Sequence, residues 1–360
     1  MSKILTDFQD GIHTYEISQP LTKKQFLAVY ARMHAKGRLI HNKKGGGSCE
    51  SYVLLDKEMP GITVTLYRLR QSRTYRVSIK IEPCRVLGSD DDPTELYRYS
   101  WKSYGKLQKR CDRYLEELCV PGGIDDMQIC RCDLTCNLVL DGQEYVDAYL
   151  RILKKSCLIP GYKADAFKVH ERKAKDPQQA NQHSHCIRCK QASLLCYDKI
   201  GQLKMIGRCP DKLEDAAILR LEAQLTRPAL KRTLGKKALW YNGALLKEAS
   251  NEAVSVIQSY LNKMFPCNGI HLRYKDAMSA VRRVKKKEQR ERMLYLLRKA
   301  SDTATLDSAA QKVKDHYTDV NSKKRKKIYA KFDKQGINPI TLPNNSHIEK
   351  IPPLNTLFRK

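Results

Sequence analysis

The sequence predicts an α+β fold: a mainly antiparallel sheet domain with helices on one face, followed by a basic, all-helical carboxy-terminal domain. Three observations predict it. Segments 61–82, 130–138 and 219–225 alternate apolar and polar residues with the two-residue period of half-buried strands. Helical periodicity lies between them, at 104–118 and 144–155. From about Leu245 the strand signal stops, and apolar residues recur at helical spacing as far as Phe332.

Taken in order, Thr22 to Ala35 carries Phe26, Val29 and Met33 on one stripe and ends at Gly37, which predicts a helix. Lys43 to Ser48 is Gly-rich with two lysines but lacks the spacing of a Walker loop, so it reads as a flexible turn before it reads as a phosphate loop. Gly61 to Leu69 and Tyr75 to Glu82 form a predicted hairpin around Gln71 to Thr74. Tyr104 to Leu118 is a helix with Leu107, Cys111, Leu115 and Leu118 inward, stopped by Gly122-Gly123. A strand through Asp133 follows, then a helix over Glu144 to Lys155. Val169 to Gln182 is a polar, basic connection, after which come strands through Tyr197 and Glu222, separated by a turn near Cys209-Pro210.

The carboxy-terminal helices are marked by Ala253, Ile257, Leu261 and Met264, by Asp276 to Lys299, and by Leu306, Ala310 and Val313. Ser322 is the expected N-cap of a last helix with Ile328 and Phe332 inward and Gly336 as terminator. The final two resemble a helix-turn-helix whose second helix opens Lys323-Lys324-Arg325, although a basic bundle with a solvated face has the same pattern. The expected division is an α/β region over 1–124 continuous with a sheet region over 125–235, a basic helical domain over 245–343 and an extended tail over 344–360.

Charge narrows the function. The chain has 67 Lys and Arg against 39 Asp and Glu, a net +28. Such an excess favours a polyanionic partner, because each neutralised phosphate releases counterions. Between His271 and Ala330 alone there are 18 Lys and Arg against 7 Asp and Glu. No long apolar run points to a membrane. Residues 1–10 carry Asp7 and Asp10 and no hydrophobic core, so a signal peptide is not expected; thirteen cysteines are then expected as reduced thiols in a cytoplasmic protein.

The chemistry sits on three short segments. In Arg131-Cys132-Asp133-Leu134-Thr135 and Arg220-Leu221-Glu222-Ala223-Gln224, a carboxylate lies two residues after an arginine on the polar face of a strand. Leu195-Cys196-Tyr197-Asp198-Lys199 lies between them in sequence, with Tyr197 and Lys199 expected on one strand face. A phenol is a poor nucleophile at neutral pH, but a divalent cation or a lysine beside it stabilises the phenolate and polarises a phosphate. Mg²⁺ or Mn²⁺ wants hard oxygen ligands, which Asp133 and Glu222 supply. Cross-strand ion pairs among Arg131, Asp133, Arg220 and Glu222 are the structural alternative. His183 and His185 share a strand face and are a further candidate metal pair, and Cys186-x-x-Cys189 has half the spacing of a zinc site.

Arg-Cys-Asp-Leu-Thr, Leu-Cys-Tyr-Asp-Lys and Leu-Arg-Leu-Glu-Ala-Gln-Leu, in that order, resemble the signature segments of filamentous-phage initiators of the gene II/X type and related rolling-circle plasmid initiators. Lys334 to Pro343 resembles the segment that closes the helical region in such proteins, and the similarity spans residues 125 to 345. The resemblance implies a sheet-based nickase domain and an enzyme that nicks and rejoins one strand of origin DNA through a phosphotyrosyl intermediate. It implies Tyr197 and Lys199 as the catalytic motif and Asp133 and Glu222 as metal ligands for Mg²⁺ or Mn²⁺. In plasmid relatives a tyrosine also occurs at the start of the preceding strand; here His185 to Cys189 contains none. Candidate DNA contacts are Arg131, Arg220, Lys323, Lys324 and Arg325, and a host helicase and a second copy of the chain are further expected partners. A non-catalytic basic DNA- or RNA-binding protein is the alternative. A tyrosine recombinase would need an Arg-His-Arg set that the helices bearing Tyr317 and Tyr329 do not offer.

Overall fold

The computed structural model describes residues 4–44, 49–56, 58–89, 92–165 and 183–358. The fold is α+β, with twelve strands and eleven α-helices among the described residues. The strands are β1 (Leu5–Leu21), β2 (Arg38–Lys44), β3 (Cys49–Leu55), β4 (Ile62–Leu69), β5 (Thr74–Ile81), β6 (Gln128–Leu140), β7 (Lys163–Asp165), β8 (Ser184–Arg188), β9 (Ala192–Asp198), β10 (Ala217–Thr226), β11 (His271–Leu272) and β12 (Lys350–Ile351). The large sheet has the order β2-β3-β4-β5-β1-β6-β10-β9-β8-β7. Pairs β2–β3, β3–β4, β4–β5, β5–β1, β7–β8 and β8–β9 are antiparallel. By packing, the chain divides into two compact units, one of Gln9–Cys136 and Glu222–Val256, the other of Met1–Phe8, Asn137–Leu221 and Ile257–Lys360.

In the first unit, helix α1 (Lys23–Lys36) covers one face of the outer strands. Its start is set by a capping box: Gln25 N–H donates to Thr22 Oγ1, and Thr22 N–H donates to Gln25 Oε1 at 2.8 Å. Its apolar stripe, Phe26, Val29 and Met33, is buried, and the Phe26 ring sits 4.8 Å from that of Tyr75 on β5. The predicted hairpin forms β4 and β5, with Leu69 opposite Thr74. Its entry needs a glycine: Gly61 has φ +87°, and a Cβ there would stand 2.8 Å from Arg85 Cβ. Short helix α2 (Pro83–Leu87) leads to α3 (Trp101–Glu117), whose Leu107, Cys111 and Leu115 are wholly buried. Later in the chain this unit holds α6 (Arg227–Leu234) and the beginning of α7 (Asn242–Met264).

In the second unit, α4 (Gln143–Lys154) lies against β8 and β9, burying Val146, Tyr149, Leu150 and Leu153. Every residue of β9 is buried. Helix α5 (Lys199–Met205) follows it directly. Helices α8 (Tyr274–Arg282), α9 (Lys287–Asp302), α10 (Leu306–His316) and α11 (Ser322–Lys334) complete the unit. Lys155 ties them to α4: its Nζ donates to the carbonyls of Ala300 at 2.8 Å and Ser301 at 2.7 Å, at the end of α9. A cation at a helix carboxy terminus satisfies carbonyls that have no partner within the helix. The tail returns to the same unit, with Ile351 paired to His271 and Leu354 buried.

Four expectations are corrected. Lys199 is not on the Tyr197 strand; β9 ends at Asp198, whose Oδ1 accepts from Gly201 N–H at 2.9 Å and so caps α5. The expected helix over Asp276 to Lys299 is two helices, α8 and α9, broken at Arg283–Lys286. Five cations among residues 282–287 would repel at helical spacing. The N-cap of α11 is Asn321, which accepts from Lys324 N–H at 3.0 Å, and not Ser322. The expected strand face shared by His183 and His185 is not formed, because β8 begins at Ser184 and His183 lies in the turn before it. The Gly-rich segment from Gly45 to Ser48 and the connection over 169–182 lie outside the described residues.

His271 is buried in the second unit, with Nδ1 at 2.7 Å from the Ile340 carbonyl. Burial pushes its pKa down from 6.5 to about 4. The unfolded chain therefore takes up the proton first as pH falls. The stability associated with neutral His271 is complete above pH 6.5 and is lost as pH falls to about 4. The full loss is on the order of 3 kcal/mol. Urea titrations from pH 7 to 4 are expected to show a flatter pH slope for His271→Asn than for wild type; equal slopes would assign the acid sensitivity to other groups.

Candidate functional site

Strand β6 neighbours both β1 and β10, and within the first unit this brings three segments of distant sequence together. Asp133 on β6 is 1% exposed. Arg131, two residues earlier and therefore on the same face, grips it with both ends of its fork: Nε donates to Oδ1 at 2.7 Å and Nη2 to Oδ2 at 2.6 Å. The Thr14 hydroxyl of β1 donates to Oδ2 as well. Glu222 on β10 is 4% exposed; its Oε1 accepts from Gln224 Nε2 at 2.7 Å, and His13 Nδ1 lies 3.4 Å from its Oε2.

The electrostatics follow from burial. Withdrawal from water raises the Asp133 pKa, the hydrogen bonds from Arg131 oppose that rise, and the charge of Glu222 adds to it; the net shift is upward. Burial works to lower the Arg131 pKa, but Asp133, Glu222 and Glu16 together hold it above its usual value. Asp133 is bonded to this guanidinium directly, while Glu222 and Glu16 act on it through their charge. Burial works to raise the Glu82 pKa, but the charges of Lys80, His13 and Arg85 outweigh it and hold its carboxyl below the usual range.

The donor chemistry fits a hard divalent cation, since Asp133 and Glu222 present carboxylate oxygens on neighbouring strands. Mg²⁺ commonly takes one or two carboxylates and completes its shell with water and phosphate oxygens. Asp133 and Glu222 are the residues that would hold it. The same geometry sets a condition: Arg131 and Thr14 occupy three acceptor positions on Asp133, so a cation there competes with a resident guanidinium. No group of three or more His, Cys, Asp or Glu placed to hold a metal occurs among the described residues.

The remaining sequence candidates lie in the second unit. Tyr197 is 4% exposed and packs with Leu195 and Cys186. Lys199 is buried, its Nζ 3.2 Å from Gln202 Oε1. His183 is exposed; His185 has a buried Nε2 without a hydrogen-bond partner among the described residues, and burial, then Lys154, lower its pKa to about 4, so it is neutral. None of the thirteen cysteines is in a disulfide; Cys186 is buried and Cys189 partly so. Arg220 is wholly buried and donates from Nε to Asn137 Oδ1 at 2.7 Å. A guanidinium with no exposed surface does not reach a DNA phosphate in this conformation, so Arg220 is reassigned to holding the strand it sits on. On α11, Lys323 and Arg325 are exposed, while Lys324 Nζ pairs with Asp319 at 2.7 Å, a carboxylate that Arg292 also contacts at 2.7 Å.

Sequence reasoning missed His13 and Thr14. Nothing in β1 marks them, because their roles come from strand adjacency between β1 and β6, which local periodicity does not report. No protein-family model matches the chain, and no curated protein matches it.

If Arg131 is the counter-charge that makes buried Asp133 tolerable, Arg131→Met lowers stability by roughly 1–3 kcal/mol, because an uncompensated buried carboxylate is left behind. Adding Asp133→Asn to that variant is expected to recover most of the loss in urea unfolding. Strictly additive losses would mean that the two side chains do not act as a pair.

Proposed function

We propose that this chain is a replication initiator of a phage or mobile element that binds origin DNA, nicks one strand and rejoins it. In this reading the Tyr197 hydroxyl attacks a backbone phosphorus, an oxygen–phosphorus bond to the tyrosine forms, and the bond to the departing 3′ oxygen breaks. The phenol gives up its proton and the departing oxygen gains one, so a phosphotyrosyl ester and a free hydroxyl result. The ester conserves the bond energy needed for rejoining. Asp133 and Glu222 are assigned as the acidic residues of the reaction, and Mg²⁺ or Mn²⁺, when bound, would stabilise negative charge on the phosphate.

The observation that carries the reading is the Asp133–Glu222 pair: two motif carboxylates, both buried, close enough for the charge of one to raise the pKa of the other. Asp133 is held by Arg131 and Thr14, and Glu222 by Gln224 and His13, so the two acids keep separate partners while their charges act on one another. The net charge of +28 and the exposed cations of α11 support a nucleic-acid partner. A second reading, a non-catalytic basic DNA- or RNA-binding protein, is favoured by the burial of Tyr197.

Incubation with supercoiled plasmid carrying the origin and Mg²⁺ or Mn²⁺ separates the two. Tyr197→Phe is expected to abolish nicking and the covalent protein–DNA adduct while origin binding persists; an adduct formed by that variant would move the nucleophile to another tyrosine. Asp133→Asn and Glu222→Gln are each expected to suppress cleavage, with partial recovery of one at high Mn²⁺. Full activity in both would leave the pair a purely structural feature.

For binding, Lys323, Lys324 and Arg325 replaced together by Ala are expected to weaken affinity and flatten its salt dependence, by up to about 0.9 log units for each phosphate that is no longer neutralised. An unchanged slope would place the phosphate-binding cations away from α11.

A further inference from the structure

A separate feature of the first unit, unrelated to the acidic pair, has the chemistry of a polyanion site. Where α1 begins, a pocket of about 710 Å³ opens between the end of β1 and the β4–β5 turn. Its cationic lining is Lys23, Arg68, Arg70 and Arg73, its walls include Leu21 and Tyr75, and no acid among the described residues lines it. These cations come from two separate stretches of chain, so the pocket is a product of the fold and not of one basic run.

Behind the pocket the arginines are held in place. Glu50 on β3 is buried, and directly faces Arg68 across the β3–β4 ladder. Its Oε1 accepts from Arg70 Nη2 at 2.5 Å, and its Oε2 lies 3.8 Å from Arg68 Nη1. Both side chains nevertheless keep about half their surface in solvent, 47% for Arg68 and 54% for Arg70. One buried carboxylate therefore hydrogen-bonds the Arg70 fork and attracts the Arg68 fork through charge. Arg73 adds a second constraint: it takes φ +49° in the turn, a backbone region that non-glycine residues rarely enter. Such outliers gather at functional sites, where the surrounding structure over-determines them.

We infer that this pocket binds the backbone phosphates of single-stranded DNA, with Arg68, Arg70, Arg73 and Lys23 as phosphate contacts and the Tyr75 ring as a wall for a base. Arginine forks match phosphate oxygens two at a time. A concave cationic pocket with an aromatic wall suits one flexible strand, whose bases are free to stack, better than the regular outer face of a duplex. Glu50 is a positioning residue: it touches no ligand and acts by aiming Arg70 through a hydrogen bond and Arg68 through charge. The inference rests on the nucleic-acid reading above, but not on any nicking activity.

The test uses the full chain and a fluorescent oligo-dT strand, with anisotropy measured over a range of NaCl concentrations. Lys23→Gln/Arg73→Gln removes two exposed cations and is expected to leave the melting temperature unchanged, weaken binding, and flatten the salt slope by about 1.4, at about 0.7 per single-strand phosphate contact. Glu50→Gln gives the sharper result, because it adds a positive charge to the protein and yet is expected to weaken binding as the forks lose their alignment. Tighter binding by a folded Glu50→Gln protein would overturn the positioning role, and an unchanged slope in the double variant would overturn the pocket. The same strand annealed to its complement is expected to lose less affinity in the double variant; an equal loss would make this a general phosphate site, not a single-strand one. Inorganic phosphate at equal ionic strength is expected not to displace the strand, and efficient displacement would indicate a pocket for free phosphate. Failure of the wild-type protein to bind any DNA would instead remove the nucleic-acid reading itself.

Discussion

Asp133 is the point on which the first unit's sheet turns, because a carboxylate that has left water needs donors around it in the folded state. The sequence supplies them from two directions: Arg131 from the same strand, at a separation that the pleat places on the same face, and Thr14 from β1. Shifting β1 by one residue against β6 would remove the threonine donor and expose the opposite face of the strand. The buried acid is thus a register device as well as a candidate reactive group. Beside it, Glu222 leans on Gln224 and His13, and its charge raises the pKa of Asp133. Arg131 feels the charge of both acids, although its hydrogen bonds go to Asp133.

The same arrangement, a buried acid gripping an arginine that stays partly in solvent, occurs elsewhere in this unit. Asp10 is buried with Arg98 Nη2 at 2.8 Å, and Glu50 is buried with Arg70 at 2.5 Å. In a chain with 28 more cationic than anionic side chains, acids are scarce. Placing several of them beneath arginines reduces local repulsion inside the sheet and fixes where the outward-facing positive charge points. In the second unit Asp319 plays a similar part at the surface, receiving both Arg292 and Lys324. The excess charge is therefore organised by a minority of carboxylates. Exposed cations such as Lys23, Arg73 and Lys323 add to the outward-facing positive charge that these pairs aim.

The two units use their apolar residues differently. Strand β9 is buried along its whole length, so Tyr197, Leu195 and Cys196 all face protein and the alternation that marks a half-exposed strand has no meaning there. An expectation of a polar face carrying Tyr197 and Lys199 depended on that alternation. It fails at Lys199 for a second reason: Asp198 is a good helix cap and Gly201 tolerates the close carboxylate, so the chain turns into α5 where a strand was expected to continue.

By itself the sequence determined the α+β class, the β4–β5 hairpin, α1, α3 and α4, and the cationic helices after Leu245. Each rests on a local signal, a period of two or of 3.6, a cap, or a glycine stop. It also placed Arg131 and Asp133 on one strand face, since a separation of two residues is enough. What only the tertiary structure decided is which strands lie side by side. That long-range pairing brought His13 and Thr14 of β1 to the acidic pair, buried Arg220 against Asn137, and set Glu50 behind Arg68 and Arg70. The physical reason is that periodicity reports the environment of each residue, half in water or not, whereas strand adjacency is settled by the packing of whole faces and by where buried charges find their counter-charges.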